Sequence, residues 1–86
     1  MTKKSVTINL KNGLEPRPVA LLVQKASQHE SSVYIESENK RVNAKSIMGM
    51  MSLSLNSGDV LTVEADGTDE GAAVSDIESF LKGESA

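Results

Sequence analysis

The hydroxyl group of Ser46 is the side chain of this sequence that is best placed to take part in chemistry. It stands directly before an apolar run at residues 47–53, which predicts a helix of about two turns with Ser46 as its N-cap. A phosphate at a helix N-terminus meets free backbone N–H groups and the positive end of the helix dipole. Phosphorylation would add about −1.5 to −2 charges beside apolar side chains. We expect this modification to change what the helix binds without refolding the domain.

Large apolar side chains crowd the segment from residue 47 to residue 55. A two-turn helix on a sheet buries only one side, so some of them have to face water. They can form a satellite cluster of the core, since methionine fills irregular gaps well, or a docking patch, since exposed apolar clusters mark interfaces. The sequence favours neither interpretation. The residues are Ile47, Met48, Met50, Met51, Leu53 and Leu55.

The single histidine, His29, is the remaining candidate for enzyme chemistry. It falls near the end of the first predicted helix, where a histidine is typical of a surface residue that interacts with the helix dipole. No Ser/His/Asp arrangement lies near it in sequence, and the chain has no phosphate-binding glycine motif and no metal-ligand spacing. The sequence therefore predicts a protein that is not an enzyme and uses no cofactor and no metal.

Length and composition limit the other possibilities. The 86 residues fit one domain, residues 1–86. Cysteine is absent, which excludes disulfides and favours the reducing cytoplasm. No run of about 18 apolar residues is available to span a membrane. The net charge of −3 and the presence of only two aromatic residues argue against direct binding to nucleic acid.

The elements that position these side chains alternate along the chain. Alternating apolar residues and flanking turn signals predict strands at residues 5–10, 32–37, 40–43 and 60–65. Helical spacing predicts a first helix from the prolines at 16 and 18 to about Gln28, and a last helix that Thr68 or Asp69 caps and Gly83 ends. The order is β-α-β-β-α-β-α. Because the middle hairpin requires antiparallel pairing, we expect an α+β fold with helices on one face of a sheet.

Two segments carry a resemblance to a known family. Residues 13–18, Gly-Leu-Glu-Pro-Arg-Pro, resemble the active-site signature G-[LI]-H-A-R-P of HPr, the histidine phosphocarrier of the sugar phosphotransferase system. Residues 43–49, Asn-Ala-Lys-Ser-Ile-Met-Gly, resemble the regulatory-serine segment of the same family. Spacing and element order agree over nearly the whole chain. The resemblance implies the HPr-like open-faced sandwich, a four-stranded antiparallel sheet with three helices on one face.

The first segment departs from the family at its most important position. Glu15 stands where the family has its phosphorylated histidine, and Pro16 replaces the usual alanine. A carboxylate at a helix N-terminus, two residues from Arg17, is favoured in its ionised form, which is a stable charge and not a phosphoryl relay. We therefore expect the carrier role to be lost. Glu15 either imitates the negative charge of phosphohistidine or is only a favourable residue for a helix start.

A family member that lacks the histidine and keeps the serine is similar to the Crh-like, catabolite-repression branch. This resemblance implies that the HPr kinase/phosphorylase phosphorylates Ser46 with ATP. It also implies that the phosphorylated protein is a corepressor for the catabolite control protein, a LacI-type transcription factor. In that role Ile47, Met48 and Met51 would dock on both partners, and Arg17 would lie near the serine phosphate.

Two other functions and one assembly stay open at this level. The chain could be a residual phosphocarrier that uses Glu15, or an HPr-like binding module with another target. The short segment 11–14 joins the first predicted strand to the rest of the chain and could act as a hinge. Because domain swapping uses such hinges, exchange of the first strand between two chains would give a homodimer.

Overall fold

The computed structural model describes residues 1–9, 16–37, 40–53 and 58–83, with the backbone alone at residues 16–18. Glu15, the proposed hinge at residues 11–14 and Leu55 lie outside the described residues. The elements follow the predicted order. The strands are β1 (Thr2–Thr7), β2 (Ser32–Ser37), β3 (Lys40–Asn43) and β4 (Val60–Asp66). The helices are α1 (Pro16–Ser27), α2 (Ile47–Met51) and α3 (Glu70–Leu81).

The four strands form one antiparallel sheet with the order β1-β4-β2-β3. The strands bury alternate side chains against the helices on one face, and the other face is open, so the predicted α+β architecture is confirmed. Within the described ranges, no helix is long and apolar enough to cross a bilayer. The buried apolar side chains of the helices are Val19, Leu22, Ala26, Met50, Ala73, Val74, Ile77, Phe80 and Leu81.

The first strand begins and ends three residues earlier than the predicted segment 5–10. β1 spans Thr2–Thr7, and every residue of it pairs with β4. The first half of β1 has no apolar alternation. It is held in the sheet by backbone pairing with β4 and by the ion pair of Lys3 with Glu64 (3.3 Å). Ile8 lies just beyond the strand and is still buried on the predicted face. A prediction from apolar periodicity alone therefore places this strand too far toward the C-terminus, where its buried residues lie.

One of the two predicted caps of α3, Asp69, is confirmed in its position but not as a side-chain cap. Asp69 occupies the N-cap position, but its carboxylate makes no capping hydrogen bond. It accepts hydrogen bonds from the backbone N–H of Ser31 (2.9 Å) and from the hydroxyl of the same residue. The Thr68 hydroxyl donates to the carboxylate of Glu30 at 3.3 Å. The segment that follows α1 thus competes successfully for the side chains that precede α3.

Candidate functional site

Ser46 lies in a tightly bonded loop between β3 and α2. The backbone N–H of Lys45 donates to the side-chain oxygen of Asn43 (2.8 Å), and the N–H of Ser46 donates to the carbonyl of Asn43 (3.0 Å). Ala44 is fully buried, and its N–H donates to the carbonyl of Val33 at 2.8 Å. The loop therefore fixes the backbone of Ser46, while the Ser46 residue itself is exposed to solvent.

The Ser46 hydroxyl caps α2, as predicted. Its oxygen accepts a hydrogen bond from the N–H of Gly49 at 3.2 Å, and its backbone carbonyl accepts one from the N–H of Met50 at 2.9 Å. The capping bond uses one lone pair of the hydroxyl oxygen, which leaves a second lone pair and the proton for other contacts. An exposed hydroxyl of this kind can both cap the helix and accept a phosphoryl group.

Helix α2 ends at Met51, two residues earlier than the predicted segment 47–53. The N–H of Ser52 donates to the carbonyl of Gly49 (3.2 Å), and the N–H of Leu53 donates to the carbonyl of Met50 (3.1 Å). These bonds span three residues, so the helix closes with a tighter 3₁₀-type turn. The site is consequently a five-residue helix with hydrogen-bonded residues at both ends.

The apolar side chains of α2 are divided between core and solvent. Met50 is 1% exposed and belongs to the hydrophobic core. Ile47, Met48 and Met51 are 44%, 82% and 56% exposed, and we refer to these three side chains as the α2 patch. The core-cluster interpretation is confirmed for Met50 and also for Leu53, which is 7% exposed, whereas the docking-patch interpretation stays a prediction. One methionine anchors the helix, and the three other side chains form a surface of the kind that marks interfaces.

Helix α1 adds one exposed apolar side chain that the sequence analysis missed. α1 packs against α2, and Leu21 of α1 is 45% exposed. Leu21 lies off the helical stripe that includes Val19 and Leu22, and this spacing is the signal that could have identified it as exposed. Arg17 lies in the first turn of α1. Its side chain and the whole of Glu15 lie outside the described residues.

His29 is not a freely exposed surface residue, because its imidazole lies between two carboxylates. Nδ1 is 3.0 Å from a carboxylate oxygen of Asp69, and Nε2 is 3.1 Å from one of Asp76. Hydrogen bonding to Asp76, together with that to Asp69, raises the pKa of His29 above its ordinary value. The hydroxyl of Ser31, a buried residue, donates to Asp69 and not to the imidazole, so this cluster is not a nucleophilic triad.

The open face of the sheet carries charges that are paired with one another. Glu64 is buried between Arg41 and Lys3, and hydrogen bonding from Arg41 lowers the pKa of its carboxyl group. The guanidinium carbon of Arg41 lies 4.0 Å from the ring centroid of Tyr34. Val60 is the large apolar side chain of β4 that is exposed, at 59%. The open face of the sheet is therefore mainly polar, in contrast to the apolar α2 patch.

Comparison with known proteins places this geometry in context. A family profile described as "PTS HPr component phosphorylation site" matches residues 2–83. The HPr-like protein Crh of Halalkalibacterium halodurans is 45% identical over 84 residues, which cover 98% of this chain and 100% of that protein. The HPr-like protein Crh of Bacillus subtilis is 43% identical over 84 residues, which cover 98% of this chain and 99% of that protein.

Solved structures share the fold. The crystal structure of the phosphocarrier protein HPr from Bacillus anthracis matches with a TM-score of 0.90 and 41% identity, over 93% of this chain and 95% of that one. The crystal structure of selenomethionyl Crh from Bacillus subtilis matches with a TM-score of 0.79 and 42% identity, over 100% of this chain and 99% of that one. The latter is described as an intertwined dimer with a swapped domain.

Proposed function

Because this chain belongs to the HPr family, we propose that it is a regulatory protein of carbon catabolite repression and not a sugar-transport phosphocarrier. In this proposal the HPr kinase/phosphorylase phosphorylates Ser46, and the phosphorylated protein is a corepressor for the LacI-type catabolite control protein. The chain acts in the cytoplasm through binding and performs no catalysis of its own. Its similarity to two Crh proteins supports the regulatory branch of the family.

The observation that carries this proposal is the exposed Ser46 hydroxyl at the edge of the α2 patch. In the reaction, Oγ of Ser46 attacks the γ-phosphorus of ATP, its proton passes to a base of the kinase, and ADP leaves. The product carries about −1.5 to −2 additional charges at the start of α2. Ile47 and Met48 follow Ser46 directly, so a partner that covers the patch also meets the phosphate. Intact mass after reaction with the kinase and ATP tests the proposal.

The new charge makes binding to the partner depend on phosphorylation. A serine phosphate pairs best with arginine or lysine through short, charge-assisted hydrogen bonds. In this chain the ammonium group of Lys45 donates to the carbonyl of His29 at 2.8 Å. We therefore assign the pairing cations mainly to the partner. The position of Arg17 in the first turn of α1 makes it the proposed contribution of this chain to the phosphate contact.

We predict that enzyme I and labelled phosphoenolpyruvate leave no stable label on this protein. Glu15 replaces the histidine of the family signature, and a carboxylate would have to form an acyl phosphate in place of the phosphoimidazole for which the family's site is built. The measurement is retained label after separation of the proteins, with a phosphocarrier HPr in the same reaction as the positive control.

A residual phosphocarrier would give a different result in that assay. Label that hydroxylamine removes, and that is absent from Glu15→Gln, would assign an acyl phosphate to Glu15 and contradict the loss of the carrier role. The matched variant Glu36→Gln, which alters an exposed glutamate on β2, should leave any label unchanged.

We further propose that this chain forms a homodimer by exchanging β1. Among the described strands, β1 is an edge strand that pairs only with β4, so it can leave one sheet and complete another. The swapped, intertwined dimer of the Bacillus subtilis relative supports this proposal. The hinge at residues 11–14 is the assigned point of exchange.

Strand exchange predicts a disulfide between two differently substituted chains. Ser5 is paired with Thr62 across β1 and β4, and the chain has no cysteine of its own. We expect a mixture of Ser5→Cys and Thr62→Cys chains, refolded together and oxidised, to form a covalent heterodimer, because directly opposed strand residues meet the geometry of a disulfide. Non-reducing electrophoresis measures it. A mixture with Asn43→Cys on the far strand is the control, and equal crosslinking in both mixtures would contradict exchange.

A further inference from the structure

The imidazole of His29 makes two contacts that the proposed function does not use. We propose that His29, Asp69 and Asp76 form a pH-dependent clamp that joins the residues just after α1 to the start and the middle of α3, and that is strongest when the imidazole carries both protons. We refer to these three residues as the His29 clamp. It is a conformational device built into the fold, separate from Ser46 and the α2 patch.

Both contacts of the imidazole can be hydrogen bonds only when the ring is doubly protonated, as the donors and acceptors of the three side chains show. The two contacts are 3.0 Å from Nδ1 to Asp69 and 3.1 Å from Nε2 to Asp76. Ionised carboxylates only accept hydrogen bonds, whereas a neutral imidazole has one N–H donor and one lone pair. Either neutral tautomer would therefore aim a lone pair at one of the carboxylates. Only the imidazolium ion donates to both.

The groups around the ring also contact its two carboxylate partners. Asp69 also accepts hydrogen bonds from the hydroxyl and N–H of Ser31 and from the N–H of Glu30, and these bonds lower the pKa of Asp69 far below its ordinary value. The ammonium group of Lys25 in α1 lies 3.7 Å from the carboxylate of Asp76.

Two further charged groups complete the surroundings of the clamp. The ammonium group of Lys45, from the loop before α2, contacts the carbonyl of His29 and not its ring. The carboxylate of Glu30 receives the Thr68 hydroxyl at 3.3 Å. The His29 side chain is 16% exposed, so its two contacts are partly shielded from water and salt.

The direction of the pH effect follows from proton linkage. Hydrogen bonding to Asp76 and Asp69 raises the pKa of His29 in the folded chain, so the folded state holds this proton more tightly than the unfolded state does. The stabilisation is fully present below the unfolded pKa of about 6.5. It is lost as pH rises through the folded pKa. One proton can change the folding equilibrium by at most about tenfold per pH unit.

The chain allows a direct test because His29 is its only histidine. NMR titration of the imidazole ring carbons should give a midpoint above about 6.5 in the folded protein. The midpoint should fall in Asp76→Asn, which keeps the shape of the side chain and removes its charge. Denaturant unfolding at a series of pH values from about 6 to 8 should show stability decreasing with pH in the wild-type protein, and a shallower decrease in His29→Gln.

Glu36→Gln, on the open face of the sheet, serves as the matched control for removal of an acidic residue, and it should leave the histidine midpoint unchanged. The ordinary pKa of the α-amino group is about 8, near the upper end of this range, and hydrogen bonding to Glu70 raises it in the folded chain, so the comparison with His29→Gln isolates the histidine contribution. A wild-type midpoint at or below about 6.5, or the same pH dependence of stability in His29→Gln, would overturn the proposal.

Discussion

We expect Ser46→Ala to abolish phosphorylation by the HPr kinase/phosphorylase, so that the intact mass after incubation with ATP stays that of the unmodified chain. The wild-type protein should gain one phosphoryl group, because the Ser46 hydroxyl is exposed and stands in the segment that resembles the regulatory-serine motif. Loss of the N-cap costs about 1 kcal/mol, a small part of the roughly 5–15 kcal/mol stability of a typical domain. The variant should therefore remain folded, which circular dichroism can verify.

Two variants separate the chemistry from the capping. Ser52→Ala removes an exposed hydroxyl at the other end of α2, where it donates to the carbonyl of Gly49 at 2.6 Å, and it should be phosphorylated like the wild-type protein. Ser46→Asp keeps a good N-cap residue and offers no hydroxyl, so it should be stable and unmodified. Phosphate found on Ser46→Ala would place the modification elsewhere and refute the assignment.

The second large effect is expected from Met48→Ala, which should weaken binding of the phosphorylated protein to the catabolite control protein about tenfold to a hundredfold. Met48 is 82% exposed, so it contributes little to the fold and its apolar surface is free to be buried by a partner. Full burial of a methionine side chain stabilises by about 1.5–3 kcal/mol, and about 1.4 kcal/mol corresponds to a factor of ten in affinity. Isothermal calorimetry measures the change.

The same substitution should weaken binding to the kinase, because both partners are proposed to use the α2 patch. Val60→Ala is the matched control, because Val60 is also exposed, at 59%, but lies on β4 and not on α2. The Val60→Ala protein should bind both partners with the affinity of the wild-type protein. Met51→Ala tests a second member of the patch. If Met48→Ala and Met51→Ala both bind with wild-type affinity, the patch is not the docking surface.

The sequence predicts those parts of the fold that local pattern determines. β2 and β3 have the predicted bounds, because alternation and the neighbouring turn act within a few residues. The start of β1 is missed because Lys3 has no apolar signal and is held by pairing with β4 and by Glu64, far away in the chain. The N-cap position of α3 is predicted correctly, but the hydrogen bonds of its side chain are missed for the same kind of reason. The carboxylate of Asp69 is taken by Ser31, 38 residues earlier.

The features of the candidate site also differ in whether nearby or distant residues determine them. The N-cap role of Ser46 is local and is confirmed, since the hydroxyl bonds to a residue three positions later. The division of the apolar residues of α2 depends on where the sheet lies, so the sequence leaves it undecided and the structure selects Met50 for the core. No local signal indicates the partners of His29, because Asp69 and Asp76 are 40 and 47 residues away.

In the proposed function, the five-residue helix α2 assigns folding and recognition to different side chains. Met50 ties the helix to the core, whereas Ile47, Met48 and Met51 contribute mainly outward-facing surface. Random mutation at the three outer positions can therefore change which regulator is recognised while the protein still folds, and mutation at the inner position is constrained by packing. If the proposed function holds, copies of this scaffold can change the partner that they bind through single outer residues, without compensating changes in the core.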